Sequence, residues 1–189
     1  MLKPTPILKK HVKRVGLLFL TLNTESQTKS LIAHLARRPE KKDVRKRSWP
    51  GIYVVTVGSK VKKGEEPLKV LTRELHRKLG AILAYDLMGI LLENGHEDQI
   101  LFQDDRVTIY GLVVEPYVML AIHPDNHSGH FKKLDILDLA KLIEVKDKWQ
   151  DQSRNEEHIP VHPETRKAIG EALLKFIENK RRALKSEEQ

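Results

Sequence analysis

Residues 57–80 read Val57-Gly58-Ser59-Lys60-Val61-Lys62-Lys63-Gly64-Glu65-Glu66-Pro67-Leu68-Lys69-Val70-Leu71-Thr72-Arg73-Glu74-Leu75-His76-Arg77-Lys78-Leu79-Gly80. Pro67 suits the first position of a helix, because its missing N–H would have had no partner there. Leu68, Leu71, Leu75 and Leu79 then recur at spacings of three and four and form one apolar face. Gly80 can take the left-handed conformation that ends a helix. The spacing predicts a helix over 67–79.

Working outward, Trp49-Pro50-Gly51 signals a turn. It leads into Ile52–Val57, a β-branched and aromatic run that reads as a strand. Val15–Leu22 and Ser30–Leu35 read as two earlier strands. Between them and the turn lies Arg37 to Arg47, in which seven of eleven residues are Lys or Arg, so this segment reads as an exposed loop. Beyond the helix, Ile82–Leu92, Gln99–Phe102, Val107–Val114 and Tyr117–Ile122 are short, apolar or alternating, and read as strands. Asp135 reads as the cap of a short helix reaching about Glu144. An amphipathic helix begins near Pro163 and buries Ile169, Leu173, Phe176 and Ile177. Strands with interspersed helices in one unit predict an α+β or three-layer domain. The expected division is a basic arm over 1–13, a domain over 14–180 and a charged tail over 181–189.

The unit 57–80 resembles the Nudix box, which runs Gly, any five, Glu, any seven, Arg-Glu, an aliphatic, any one, Glu-Glu, any one, Gly, an aliphatic. Glu65 falls on the first Glu. Arg73, Glu74 and Leu75 fall on Arg-Glu-aliphatic, and Gly80 on the closing Gly. Trp49-Pro50-Gly51-Ile52-Tyr53 looks like the lead-in common before the box, and the helix after Val161-His162-Pro163 sits where many members place theirs. The resemblance implies the Nudix α/β/α sandwich with a mixed central sheet. It makes Gly58, Glu65, Arg73 and Gly80 structural box residues. Three positions depart: Ser59 replaces the opening Gly, with Gly58 adjacent, Ala81 replaces the last aliphatic, and Arg77 and Lys78 stand where the family has Glu-Glu.

That last exchange bears on chemistry. Residues i, i+3 and i+4 share a helix face. In the family, three glutamates there gather hard oxygen ligands around Mg²⁺, which polarises a diphosphate and activates water. Here the same positions are Glu74, Arg77 and Lys78, with a formal charge of +1 in place of −3. Lys78, four residues after Glu74, is expected to pair with it. A lone carboxylate beside two cations is a poor Mg²⁺ site. The leading expectation is therefore a Nudix-like protein with an impaired metal site. It binds a nucleotide, a polyphosphate or RNA through Arg37, Arg38, Arg45, Lys46, Lys60, Lys62, Arg77 and Lys78, with weak or no hydrolysis. The alternative is a working Mg²⁺-dependent diphosphate hydrolase that keeps Glu74 and recruits Glu65, Glu93, Glu97 or Glu115. A further alternative is a protein-interaction or regulatory domain.

Composition bounds these readings. The 189 residues suit one domain, and 40% hydrophobic residues suffice for a core. Zero cysteines exclude a disulfide scaffold, thiolate metal sites and a cysteine nucleophile. With the resemblance, they also disfavour the isomerase branch of the superfamily, whose catalytic cysteine is impossible here. No run approaches the ~18 apolar residues of a membrane span. Val15–Leu20 follows a basic stretch as a signal peptide would, but no small-residue cleavage site follows, so a cytoplasmic protein is expected. A net charge of +8 among 60 charged residues of both signs is moderate. Aromatic residues for base stacking are few, at 5%. His123, His127 and His130 could bind zinc or nickel, yet no helix or strand presets them, and solvated loop histidines are expected.

Overall fold

The computed structural model describes residues 14–23, 30–37, 53–93, 95–121, 133–138 and 161–187. β1 (Arg14–Asn23) is apolar on both faces, and both are covered. Val15, Leu17 and Phe19 face one core cluster, and Leu18 and Leu20 face another. Period-two alternation puts successive side chains on opposite faces, so a central strand reads as a continuous hydrophobic run. β1 pairs antiparallel with β2 (Ser30–Arg37) and parallel with β6 (Val107–Val113). β5 (Ile100–Gln103) lies antiparallel beyond β6. The sheet is therefore mixed, in the order β3 (Tyr53–Val55), β2, β1, β6, β5, with β4 (Val57–Lys60) also on β1 and β7 (Lys133–Asp138) also on β2.

The strand expected over 52–57 is two strands. β3 (Tyr53–Val55) pairs with β2, and β4 (Val57–Lys60) pairs with β1. β1 and β2 pair from Asn23↔Ser30 to Phe19↔His34 and then part, and β3 and β4 fill the fork between them. Thr56 sits at its apex. Its hydroxyl donates to the His34 carbonyl and accepts the Phe19 N–H at 3.3 Å. One side chain thus satisfies two backbone groups that the diverging strands leave open. Just below, Val55 lies against Gly16. A Cβ at Gly16 would stand 2.8 Å from Val55 Cγ2, so only glycine lets the strands approach so closely.

α1 (Pro67–Leu79) spans the residues expected for it, with Pro67 in its first turn. Gly80, at φ 81°, follows it. Three other expectations are corrected. Ile82–Leu92 is helical, within α2 (Ala81–Glu93). A continuous apolar run has no period to separate strand from buried helix, but eleven residues is long for a strand. Ala84, Leu87, Met88 and Leu91 are its buried positions, at helical spacing. Residues 116–121 form the helix α3 (Pro116–Ala121), started by Pro116 at a first position. Asp135 caps no helix. It lies in β7 (Lys133–Asp138), opposite Leu35 of β2. Leu134 and Ile136 there alternate with Lys133 and Asp135, a period-two signal.

α1, α2 and Val118 of α3 cover one sheet face. α4 (Pro163–Glu187) covers the other with Ala168, Ile169 and Ala172, and runs on past residue 180. Lys175 ties α4 to the sheet edge, its Nζ donating to the carbonyls of Asp98 at 2.8 Å and Ile100 at 3.0 Å. The result is three layers, helix on sheet on helix. The arm over 1–13, Arg38–Arg47, Trp49-Pro50-Gly51 and the loop holding His123, His127 and His130 lie outside the described residues.

His34 is buried beside the fork, with Nε2 2.9 Å from the Thr21 hydroxyl. Burial lowers its pKa from 6.5 to about 4. The unfolded chain therefore binds a proton that the native state refuses between these values. Stability is full above pH 6.5 and falls as pH drops toward 4, by roughly 2–3 kcal/mol for this group. Urea midpoints at pH 7.5 and 5.0 should show the loss, and His34→Gln should lessen it. Thr56→Val keeps the shape but orphans the Phe19 N–H and the His34 carbonyl. It should cost about 1–3 kcal/mol in the same assay at pH 7.5.

Candidate functional site

The segment 61–80 is built by local chemistry. The Glu65 N–H donates to the Lys62 carbonyl at 3.0 Å, closing a tight turn with Gly64 at φ 85°. Only glycine suits that third position without strain. The sequence reading did not single out Gly64, although a lone glycine amid lysines and glutamates is a turn signal. The Glu65 carboxylate accepts the Lys62 N–H at 2.8 Å and Arg73 Nη1 at 2.9 Å. Hydrogen bonds from Arg73 and then Lys62 hold its pKa below the ordinary carboxylate value, and the same pairing raises that of Arg73. The turn is thus fastened to the second turn of α1.

Across α1 the buried positions are Val70, Leu71, Glu74, Leu75 and Lys78. The inward stripe therefore includes two charged residues, while Leu68 and Leu79 are only partly buried. Glu74 takes Arg77, not Lys78, as its ion-pair partner in the observed geometry. Arg77 Nη2 donates to Glu74 Oε2 at 2.7 Å and Nε at 3.2 Å. The fork-shaped guanidinium grips one carboxylate oxygen through two donors. Lys78 is buried next to them. Burial first, and then the Arg77 charge, lower its pKa from 10.5 to about 8, with Glu74 opposing. His76, Arg77 and Lys78 also fill the last turn of α1, where cations favour the helix dipole.

The residues expected to act together divide. Glu65, Arg73, Glu74, Arg77 and Lys78 share one loop and helix. Lys60 and Lys62 lie on the strand and turn leading into them, both exposed. Arg37 ends β2, with its backbone paired to Tyr53, while Arg38, Arg45 and Lys46 lie outside the described residues. Gly58 is in β4 opposite Gly16. The candidate extra ligands Glu93, Glu97 and Glu115 are exposed, at the end of α2, in the following turn and before α3. Glu97 and Asp98 line a different feature, a cleft of about 690 Å³ under α4 with Leu20, Leu22, Phe176 and Arg182. The sequence reading missed this cleft, because its walls come from β1, β2, β5, β6, α4 and the turn before β5, segments far apart in the chain.

Among the described residues, no group of three or more His, Asp or Glu is placed to hold a metal ion. The box positions supply one carboxylate, already engaged by Arg77, and two cations. This donor set does not fit Mg²⁺, which takes near-octahedral oxygen ligation.

No protein-family model matches the chain, and none of the curated proteins does. Solved structures do. A mutT/nudix family protein from Listeria innocua is 14% identical, over 88% of this chain and 94% of that one, with a TM-score of 0.53. An Ap4A hydrolase from C. elegans, in a binary complex, is 13% identical over 89% and 99%, with a TM-score of 0.47. A MutT/nudix family protein from Enterococcus faecalis is 14% identical over 93% and 66%, with a TM-score of 0.44. The Listeria structure carries the fold comparison, and the fold of this chain is Nudix-like. No helix among the described residues is long and apolar enough to cross a membrane.

Arg77→Ala leaves the largely buried Glu74 carboxylate without this partner. Thermal unfolding should show a loss of about 1–3 kcal/mol. Adding Glu74→Leu, which removes the buried charge, should recover part of it.

Proposed function

We propose that this protein binds a phosphorylated ligand, a nucleotide or polyphosphate, on the basic surface formed by the box loop and the end of α1, with little or no hydrolysis. The observation that carries this reading is the Arg77–Glu74 pair, with both Nε and Nη2 on one carboxylate oxygen. It occupies the box carboxylate with a cation and presents a half-exposed guanidinium beside it. Arg77 offers the charge that a metal would otherwise bring to a phosphate, and the buried Lys78 ammonium adds to the positive potential without reaching the surface. Lys60 and Lys62, exposed nearby, extend the positive surface. The fold comparison leaves the activity of this chain to its own residues.

Lys78 makes the binding pH-dependent. Its pKa of about 8 means that it is charged at pH 7 and neutral by pH 9. An anion prefers the charged form, so affinity should fall as pH rises through 8. Titration calorimetry with inorganic pyrophosphate at pH 7 and pH 9 measures this. Binding should weaken several-fold at the higher pH, and Lys78→Met should be weaker at pH 7 and flatter with pH. A panel of nucleoside diphosphate derivatives with Mg²⁺ tests the rest. Strong turnover by the wild type refutes the reading, while turnover gained only by Arg77→Glu/Lys78→Glu supports it. If RNA is the ligand, affinity will fall steeply with salt, in proportion to the phosphates contacted.

A further inference from the structure

α2 has two apolar faces where a surface helix needs one. The inner face, Ala84, Leu87, Met88 and Leu91, is buried in the core. On the outer face, Ile82, Tyr85, Gly89 and Leu92 follow one another at spacings of three, four and three. That is the a/d spacing of a helix–helix seam. Ile82 is 83% exposed, Tyr85 76% and Leu92 54%. A helix on a globular surface ordinarily turns charged residues outward, but between 81 and 93 only Asp86 and Glu93 are charged. Gly89 weakens the helix, and no described residue comes within 4 Å of a Cβ placed there. Among the described residues, no contact requires glycine at this position.

The seam is complementary to itself. Tyr85 and Gly89 each stand two residues from Leu87, and Ile82 and Leu92 each stand five. A two-fold axis at the level of Leu87, relating two antiparallel helices, sets large against small and aliphatic against aliphatic. We propose that two copies of this chain pair antiparallel through the outer face of α2, with Tyr85 of each protomer packed over the partner's Gly89 and Ile82 against the partner's Leu92. Such a contact is isologous and closes after two copies. The same register brings Glu93 near the partner's Ala81, at the positive end of its helix. Asp86 approaches the partner's Asp86 at the rim, where solvent and salt screen the repulsion. The exposed seam offers on the order of 500 Å² per protomer, about 1,000 Å² in all, the lower size for a specific interface. An interface of this size belongs to the weak, reversible class. This inference does not rest on the phosphate-binding reading.

Sedimentation velocity on the full chain from about 1 to 100 µM is the test, the span in which a small interface assembles. The wild type should pass from monomer to dimer, and Gly89→Arg should stay monomeric with an unchanged circular-dichroism spectrum. Because the chain has no cysteine, introduced thiols report the register. Ile82→Cys/Leu92→Cys should form disulfide-linked dimers on oxidation, and either single variant should form far fewer. A wild type that remains monomeric at 100 µM overturns the proposal and leaves the seam to a helix of another protein. Efficient cross-linking of the single variants, or a Gly89→Arg chain that still dimerises, overturns the register.

Discussion

Thr56 stands where β1 and β2 cease to pair. A sheet that splits must find partners for the backbone groups on both sides of the split, since buried N–H and C=O groups are seldom left open. Its hydroxyl is donor and acceptor at once, which suits a point where one strand offers an N–H and the other a carbonyl. From this apex β3 follows β2 and β4 follows β1. The course of β4 then sets where the turn at Gly64 falls, and Pro67 starts α1 from there. The fork thus aims the box helix against the sheet face lined by Val15, Leu17 and Phe19.

On that helix the charges take the place that the family resemblance gives to metal ligands. A cluster of three carboxylates at a helix C-terminus opposes the dipole and requires a cation to hold it together. Here the cations are covalently part of the helix. Arg77 neutralises Glu74, and Lys78 accepts a lowered pKa as the consequence of burial. The arrangement suits the dipole at that end of the helix. The net charge of +8 said little about the chain as a whole. Located on α1, two of those charges stand beside the Glu74 carboxylate in the last turns of the helix.

Local signals were the legible part of the sequence. Pro67 and Gly80 bracket α1 because each acts through its own backbone, and the short apolar runs of β1 and β6 need no distant partner to be read. Ile82–Leu92 misled because an apolar run with no polar face has no period, and it has no polar face because both sides of α2 are apolar. Lys133–Asp138 misled because one aspartate looked like a cap while the alternation of Leu134 and Ile136 went unweighed. At the site, residue positions on the box were readable, but the pairing of Glu74 with Arg77 was not. The choice between i+3 and i+4 depends on burial, which turned Lys78 inward and left Arg77 half exposed. Thr56 carries no sequence signal, since its role exists only once two strands have parted around it.

The pairing of β1 with β6 has a consequence for how this chain reaches its native state. Arg14 lies beside Val107 and Leu20 beside Val113, so the parallel ladder joins segments separated by about half of the chain. Such contacts form only after the loop between them has closed, and they make folding slow. α1 and α2, joined by the single residue Gly80, contact each other within a short span of chain. They can assemble first and offer β1 an apolar surface before β6 arrives. By the same argument the central strand pair closes late, and until it does the β6-facing edge of β1 is open to another strand, while β2 covers the other edge through a local hairpin.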